Sequence, residues 1–156
     1  MKQANVQERI ARLLKGSGMT LSAAESCTGG EISHLITLVS GSLEYYLGSV
    51  TSYAVSVKEK VLGVDGETVR KKGVVSSEVA AAMAEGVKRI TGSTFSVATT
   101  GLAEGSDGSY PEGTVWMAVT TPKGTVAECH RFPGNRARVI ERATVTAMLL
   151  LLKQLI

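Results

Sequence analysis

Cysteine, histidine and proline are scarce in this sequence: two, two and three of 156 residues. Cys27 and Cys129, with no C-x-x-C, cannot build a disulfide framework. Such cysteine usage predicts a reducing, cytoplasmic location. Two Cys and two His scattered without ligand spacing argue against zinc, and neither a metal nor a cofactor is expected. The histidines also leave little room for a Ser–His–Asp triad. His34 would lie roughly 12 Å up a helix that begins near Cys27, and His130 sits in a strand-like segment better suited to a structural role. Long apolar runs are missing as well. Ala147 to Leu152 is the longest, far short of the roughly 20 residues of a membrane span. Met1 to Lys15 is polar and charged, so no secretory signal is expected. The net charge of +3 is too small to suggest a nucleic-acid face. Arg70-Lys71-Lys72 reads as a solvated helix end before Gly73. No G-x-x-x-x-G-K-[ST] occurs, and no G-x-G-x-x-G lies between strand and helix.

What is present is a hydrophobic content of 44% arranged with clear periodicity in a length suited to one domain, residues 1–156. Val6, Ile10, Leu13 and Leu14 predict a helix over 3–15, ended by Gly16 and Gly18. Strands are expected at Met19–Ala24, Leu47–Val55 and Thr94–Thr100, with helices at Gly30–Val39, Val57–Leu62, 66–72 and Ser77–Ile90. Gly113–Thr121 and Thr125–Phe132 read as a hairpin, and a long helix follows Pro133-Gly134-Asn135. Alternating elements followed by a hairpin predict an α/β fold. The expected form is a three-layer α/β/α sandwich, its mixed, mostly parallel sheet covered by helices on both faces.

In such sheets ligands collect at the carboxyl ends of strands. Three segments share that position: Glu25 to Gly30, Tyr53 to Lys58, and Thr100 to Gly113. The first carries Ser26, Cys27, Thr28, Gly29 and Gly30 where a strand gives way to a helix. Helix-start amides there could hold an oxyanion or a substrate anion. Equally, Ser26 or Thr28 could be a plain N-cap. A hydroxyl nucleophile without histidine needs another base, and a lysine whose pKa is lowered by burial can serve. Lys58, flanked by valines and near Lys60, is the candidate. Cys27 competes with Ser26 as nucleophile. Arg136 and Arg142, opening the last helix, could hold a phosphate.

Ala24-Glu25-Ser26-Cys27-Thr28-Gly29-Gly30 resembles the signature of the CinA C-terminal domain family, the nicotinamide mononucleotide amidases. The likeness continues through Tyr53, Lys58 and Val61-Leu62-Gly63-Val64. It runs on through Gly73-Val74-Val75-Ser76 and the helix after it, Thr100-Gly101-Leu102-Ala103, Gly113-Thr114-Val115, and Phe132-x-Gly134-x-Arg136 with Arg142. It covers nearly the whole chain, and resembles a stand-alone amidase domain. The resemblance implies hydrolysis of the carboxamide of nicotinamide mononucleotide to nicotinate mononucleotide and ammonia. It makes Ser26 the nucleophile and Lys58 its base, with Tyr53 beside them. Thr28, Gly29, Gly30, Thr100, Gly101, Arg136 and Arg142 would handle the phosphorylated substrate, and a homo-oligomer, a dimer by preference, is expected. The sequence departs from the family pattern at Val55 (usually Asn), Glu104-Gly105 (usually Gly-Pro), Gly48-Ser49 (usually a glycine pair), Asn135 (usually Asp) and Ile140 (often Arg). These departures keep a second reading open: a non-catalytic or weakly active relative that binds a small phosphorylated ligand.

Overall fold

A computed structural model describes residues 5–156. The elements run α1 (Val6–Leu14), β1 (Leu21–Glu25), α2 (Glu31–Thr37), a 3-10 turn (Ser42–Glu44), β2 (Tyr46–Thr51), α3 (Val55–Lys60), α4 (Gly66–Lys72), α5 (Ser77–Thr91), β3 (Phe95–Gly101), β4 (Thr114–Thr121), β5 (Gly124–Arg131) and α6 (Arg136–Leu155). The part of the first expected helix that falls on residues 3–4 lies outside the described residues. The strands form one sheet in the order β2-β1-β3-β4-β5. Pairs β1·β2 and β1·β3 are parallel; β3·β4 and β4·β5 are antiparallel. The sheet is therefore mixed, but half parallel rather than mostly so, because the hairpin supplies as many pairings as the crossovers do.

Strand alternation assigns two faces. Leu21, Ala23, Val97, Met117 and Val119 pack against α1, α2 and α6 through Ile10, Leu14, Ile32, Ile36, Ala147, Met148 and Leu151. Ala24, Ala98 and Ala118 meet α5 through Val79, Ala80, Met83, Ala84 and Val87. The second face is built from small residues, so α5 lies close: Ser96 Oγ donates to the Ala84 carbonyl at 2.6 Å. On α5's other side a Cβ at Gly86 would strike the Leu62 carbonyl.

After β1 the chain turns through α2 on one face to β2. It then returns through α5 on the other face to β3, on the opposite side of β1. The carboxyl end of β1 is thus the point where the winding reverses, the place at which open α/β sheets form a ligand crevice. The expected second strand, Leu47–Val55, is corrected here: β2 ends at Thr51 and Val55 opens α3. Ser52 N–H donates to the Glu25 carbonyl at 2.7 Å, and the Val57 and Lys58 amides then turn to Ala54 O at 3.1 and 3.2 Å. That local closure overrides the strand propensity of Val55 and Val57.

Gly86→Ala should destabilise the chain by about 1–3 kcal/mol, the usual cost of overpacking, because the obstacle is backbone rather than a movable side chain. Denaturant midpoints of the two proteins measure it.

Candidate active site

The turn after β1 is closed from within. Glu25, the last residue of the strand, is fully buried. Its Oε1 accepts from Thr28 Oγ1 at 2.7 Å and from the Ile32 amide at 2.9 Å, and its Oε2 accepts from the Ser33 amide at 3.1 Å. Gly30, the residue before α2, adopts φ +106° and has no side chain to cap the helix. The strand's carboxylate does so instead. Glu25 therefore takes the α2 amides of Ile32 and Ser33, and the Gly29 amide turns to the Ser26 carbonyl at 3.0 Å. Thr28 is buried and bonded to Glu25 and, at 2.8 Å, to Thr99.

Ser26 sits next to this cap, and Lys58 reaches it from the first α3 turns. Lys58 is fully buried. Its Nζ lies 2.9 Å from Ser26 Oγ, 2.5 Å from the Ser52 carbonyl and 3.2 Å from the Tyr53 carbonyl. Burial holds its pKa below the ordinary lysine value. As an ammonium, Nζ donates to all three oxygens; once deprotonated, it keeps two N–H groups for the carbonyls and a lone pair for the Ser26 hydroxyl. Cys27 is the weaker candidate nucleophile. Burial pushes its thiol up to about 12, and the charge of Glu25 adds to the rise, so the thiolate is strongly disfavoured.

Ser26 opens into a cavity of about 520 Å³, a size suited to a small-molecule ligand. Its walls include Cys27 and Tyr53, the Gly73–Val75 segment before α5, and Thr100 to Glu104 with Asp107 and Ser109 from the β3–β4 loop. Arg136 at the start of α6 completes them. Thr100 donates to the Val74 carbonyl at 3.0 Å, tying two of these walls together. Arg136 Nε lies 3.1 Å from Glu104 Oε1, and its Nη1 lies 3.4 Å from the Tyr53 hydroxyl. Three distant segments so meet at the cavity.

The structure brings together Ser26, Lys58, Tyr53, Thr100, Gly101 and Arg136. It does not bring the others. Thr28, Gly29 and Gly30 lie outside the cavity walls. Arg142 is turned away to the Pro133 carbonyl at 3.3 Å and lines a different surface groove. The expected convergence of Arg142, and of the amides around Gly29 and Gly30, with Arg136 on one anion site is thereby corrected. Sequence reasoning missed the Ser52 carbonyl, which carries no sequence signal because any residue supplies a carbonyl. Asp107 and Ser109 fall in the expected Thr100–Gly113 segment without being singled out, and Gly73–Val75 reads as a motif but not as a wall of the site. Among the described residues no three Asp, Glu, His or Cys side chains cluster as metal ligands. No helix there is long and apolar enough to cross a membrane.

The same architecture is found in known proteins. The CinA C-terminal domain model matches residues 3–155. A CinA-like protein of Flavobacterium psychrophilum is 42% identical over 149 residues, which are 94% of this chain and 36% of that protein. One of Geobacter metallireducens is 41% identical over 145 residues, 92% of this chain and 35% of that protein. The chain thus spans about a third of the length of these relatives. The crystal structure of a competence or damage-inducible protein from Enterobacter asburiae superposes with a TM-score of 0.94 at 29% identity, covering 99% of this chain and all of that one. The family model over nearly the whole chain, the identity to these relatives and the shared fold agree: the chain belongs to the CinA C-terminal domain family.

Proposed function

We propose that this domain is an amidohydrolase that releases ammonia from the carboxamide of nicotinamide mononucleotide, leaving nicotinate mononucleotide, with Ser26 as nucleophile and Lys58 as base. The observation that carries the reading is the buried Lys58 amine held between two carbonyls with Ser26 Oγ at 2.9 Å. A buried amine of lowered pKa can take the hydroxyl proton near neutral pH, which an ordinary lysine cannot. Ser26 Oγ attacks the amide carbon as its proton passes to Lys58. The tetrahedral adduct collapses as Lys58 returns that proton to the departing nitrogen, and ammonia leaves. Water, deprotonated by Lys58, then attacks the Ser26 ester, the carboxylate departs and the hydroxyl is restored. Thr100 and Tyr53 border the reacting centre, and Arg136 stands at the far wall for the phosphate.

One observation favours the alternative of a relative with altered or lost turnover. Arg136 is already paired with Glu104, and Asp107 lies in the same wall. A phosphate arriving there must displace or tolerate carboxylates.

Ser26→Ala and Lys58→Met should each lower ammonia release from nicotinamide mononucleotide about a thousandfold or more, whereas Cys27→Ala should retain most of it. An inactive Cys27→Ala that still folds would transfer the nucleophile role to the thiol. Wild-type protein that binds the mononucleotide without releasing ammonia would leave the binding reading.

The pH dependence has a fixed sign. Activity should rise as Lys58 loses its proton, along a limb centred below 10.5, the ordinary lysine value. Between its lowered pKa and that value the unfolded chain binds the more protons, so stability rises with pH across the same window. Lys58→Met should flatten that rise, as thermal unfolding across the window would report.

Arg136→Ala should weaken binding of the mononucleotide about tenfold and leave the dephosphorylated riboside nearly unchanged. Glu104→Gln should tighten only the phosphorylated ligand. Calorimetric titration of both ligands reads the two effects, and equal losses for both would mean that Arg136 supports the fold.

A further inference from the structure

We infer that Glu25 is a positioning residue for the nucleophile: its carboxylate closes the turn that carries Ser26, and its backbone fixes the carbonyl that holds Lys58. The inference rests on the Ser26–Lys58 reading and extends it to a side chain that touches neither the cavity nor Lys58.

Glu25 stands at a junction of three segments. Its side chain receives three hydrogen bonds and gives none, from Thr28 Oγ1, Ile32 N and Ser33 N. These bonds pin residues 26–33 back onto the end of β1, and Ser26 lies inside the closed turn. Its carbonyl accepts from the Ser52 amide at 2.7 Å. Ser52 in turn presents its own carbonyl to Lys58 Nζ at 2.5 Å. Both members of the dyad therefore hang from one residue, Ser26 through the peptide bond and the capped turn, Lys58 through Ser52.

A helix cap is usually a short side chain within three residues of the amides it serves. Here it comes from a strand residue six positions before the helix begins, and the cap residue proper is a glycine in a left-handed conformation. The long-range cap shapes the intervening turn as well as ending the helix. The Glu25 side chain also acts against ionisation of the neighbouring Cys27 thiol, which burial already disfavours. The turn thus keeps the hydroxyl, not the neighbouring thiol, as the reactive group.

Glu25→Gln is the test, because it keeps the shape and loses the pattern. One carboxylate oxygen becomes an NH2 that must face a backbone N–H, donor against donor. With nicotinamide mononucleotide, kcat should fall tenfold or more while KM stays within about twofold, measured well below the midpoint of thermal unfolding. Labelling of Ser26 by diisopropyl fluorophosphate should slow in proportion, and alkylation of Cys27 by iodoacetamide should speed up in a Cys129→Ser background. A purely structural cap would lower the unfolding temperature and leave kcat and both labelling rates unchanged, which would overturn the inference. Should Glu25→Gln not fold, Thr28→Val removes one of the three donors and should show the same changes in smaller measure; unchanged labelling there would also overturn it. Labelling separates this inference from the proposed substrate. A wild type that labels at Ser26 without releasing ammonia would fail the substrate reading alone, and wild-type Ser26 that resists labelling would overturn both.

Discussion

A lysine amine sealed in the protein with two backbone carbonyls and one hydroxyl is the constraint around which the rest is built. Burying an ammonium is costly in proportion to the water it loses. The fold meets that cost by giving each of the amine's polar directions a partner, and burial lowers the lysine's pKa. Those partners come from the turn after β1 and from the β2–α3 connection, so the Ser26–Lys58 contact can exist only once β1 and β2 are paired in register. The sheet therefore does more than carry the loops. Its parallel half sets the distance between Ser26 and Lys58.

The placement of that half follows from winding. Because α2 covers one face and α5 the other, the chain reverses direction around β1, and a crevice opens at the carboxyl end of that strand. Ser26 is the first residue beyond β1. The antiparallel hairpin of β4 and β5 extends the sheet away from the crevice. It contributes to the site chiefly through the β3–β4 loop and through the start of α6, which carry Glu104 and Arg136.

Much of this was legible in the residues. Periodicity located every helix and strand to within a few positions, since the two sheet faces are filled by different residue sizes and α5 carries a regular apolar stripe. The strand after α2 was drawn too long. Val55 and Val57 favour strands, but the Ser52–Glu25 hydrogen bond ends the ladder and the amides that follow turn to Ala54. Ser26 and Lys58 could be paired from sequence by the want of a suitable histidine and by resemblance. Their contact with the Ser52 and Tyr53 carbonyls could not, because main-chain acceptors are the same for every residue. Open amides are the general expectation at a helix start. Only the three-dimensional arrangement reveals that Glu25, upstream in sequence, takes those of Ile32 and Ser33.

The site thus divides into two parts with different physical origins. The Ser26–Lys58 pair is held by backbone carbonyls, a buried carboxylate and strand register, all of which move only if the core moves. The far wall of the cavity is held by Arg136, Glu104 and Tyr53, whose contacts are exposed and individually weak. Changes in the second part alter which ligand is accepted at little expense to folding, whereas changes in the first would cost the fold or the chemistry. The departures at Glu104, Gly105 and Asn135 lie at this outer wall or beside it, and Val55 opens the helix that carries Lys58 without contributing a bond to its amine. An unchanged Ser26–Lys58 pair beside an altered wall is what a shift in ligand preference would require, because the contact between Ser26 and Lys58 does not depend on the Arg136–Glu104 pair.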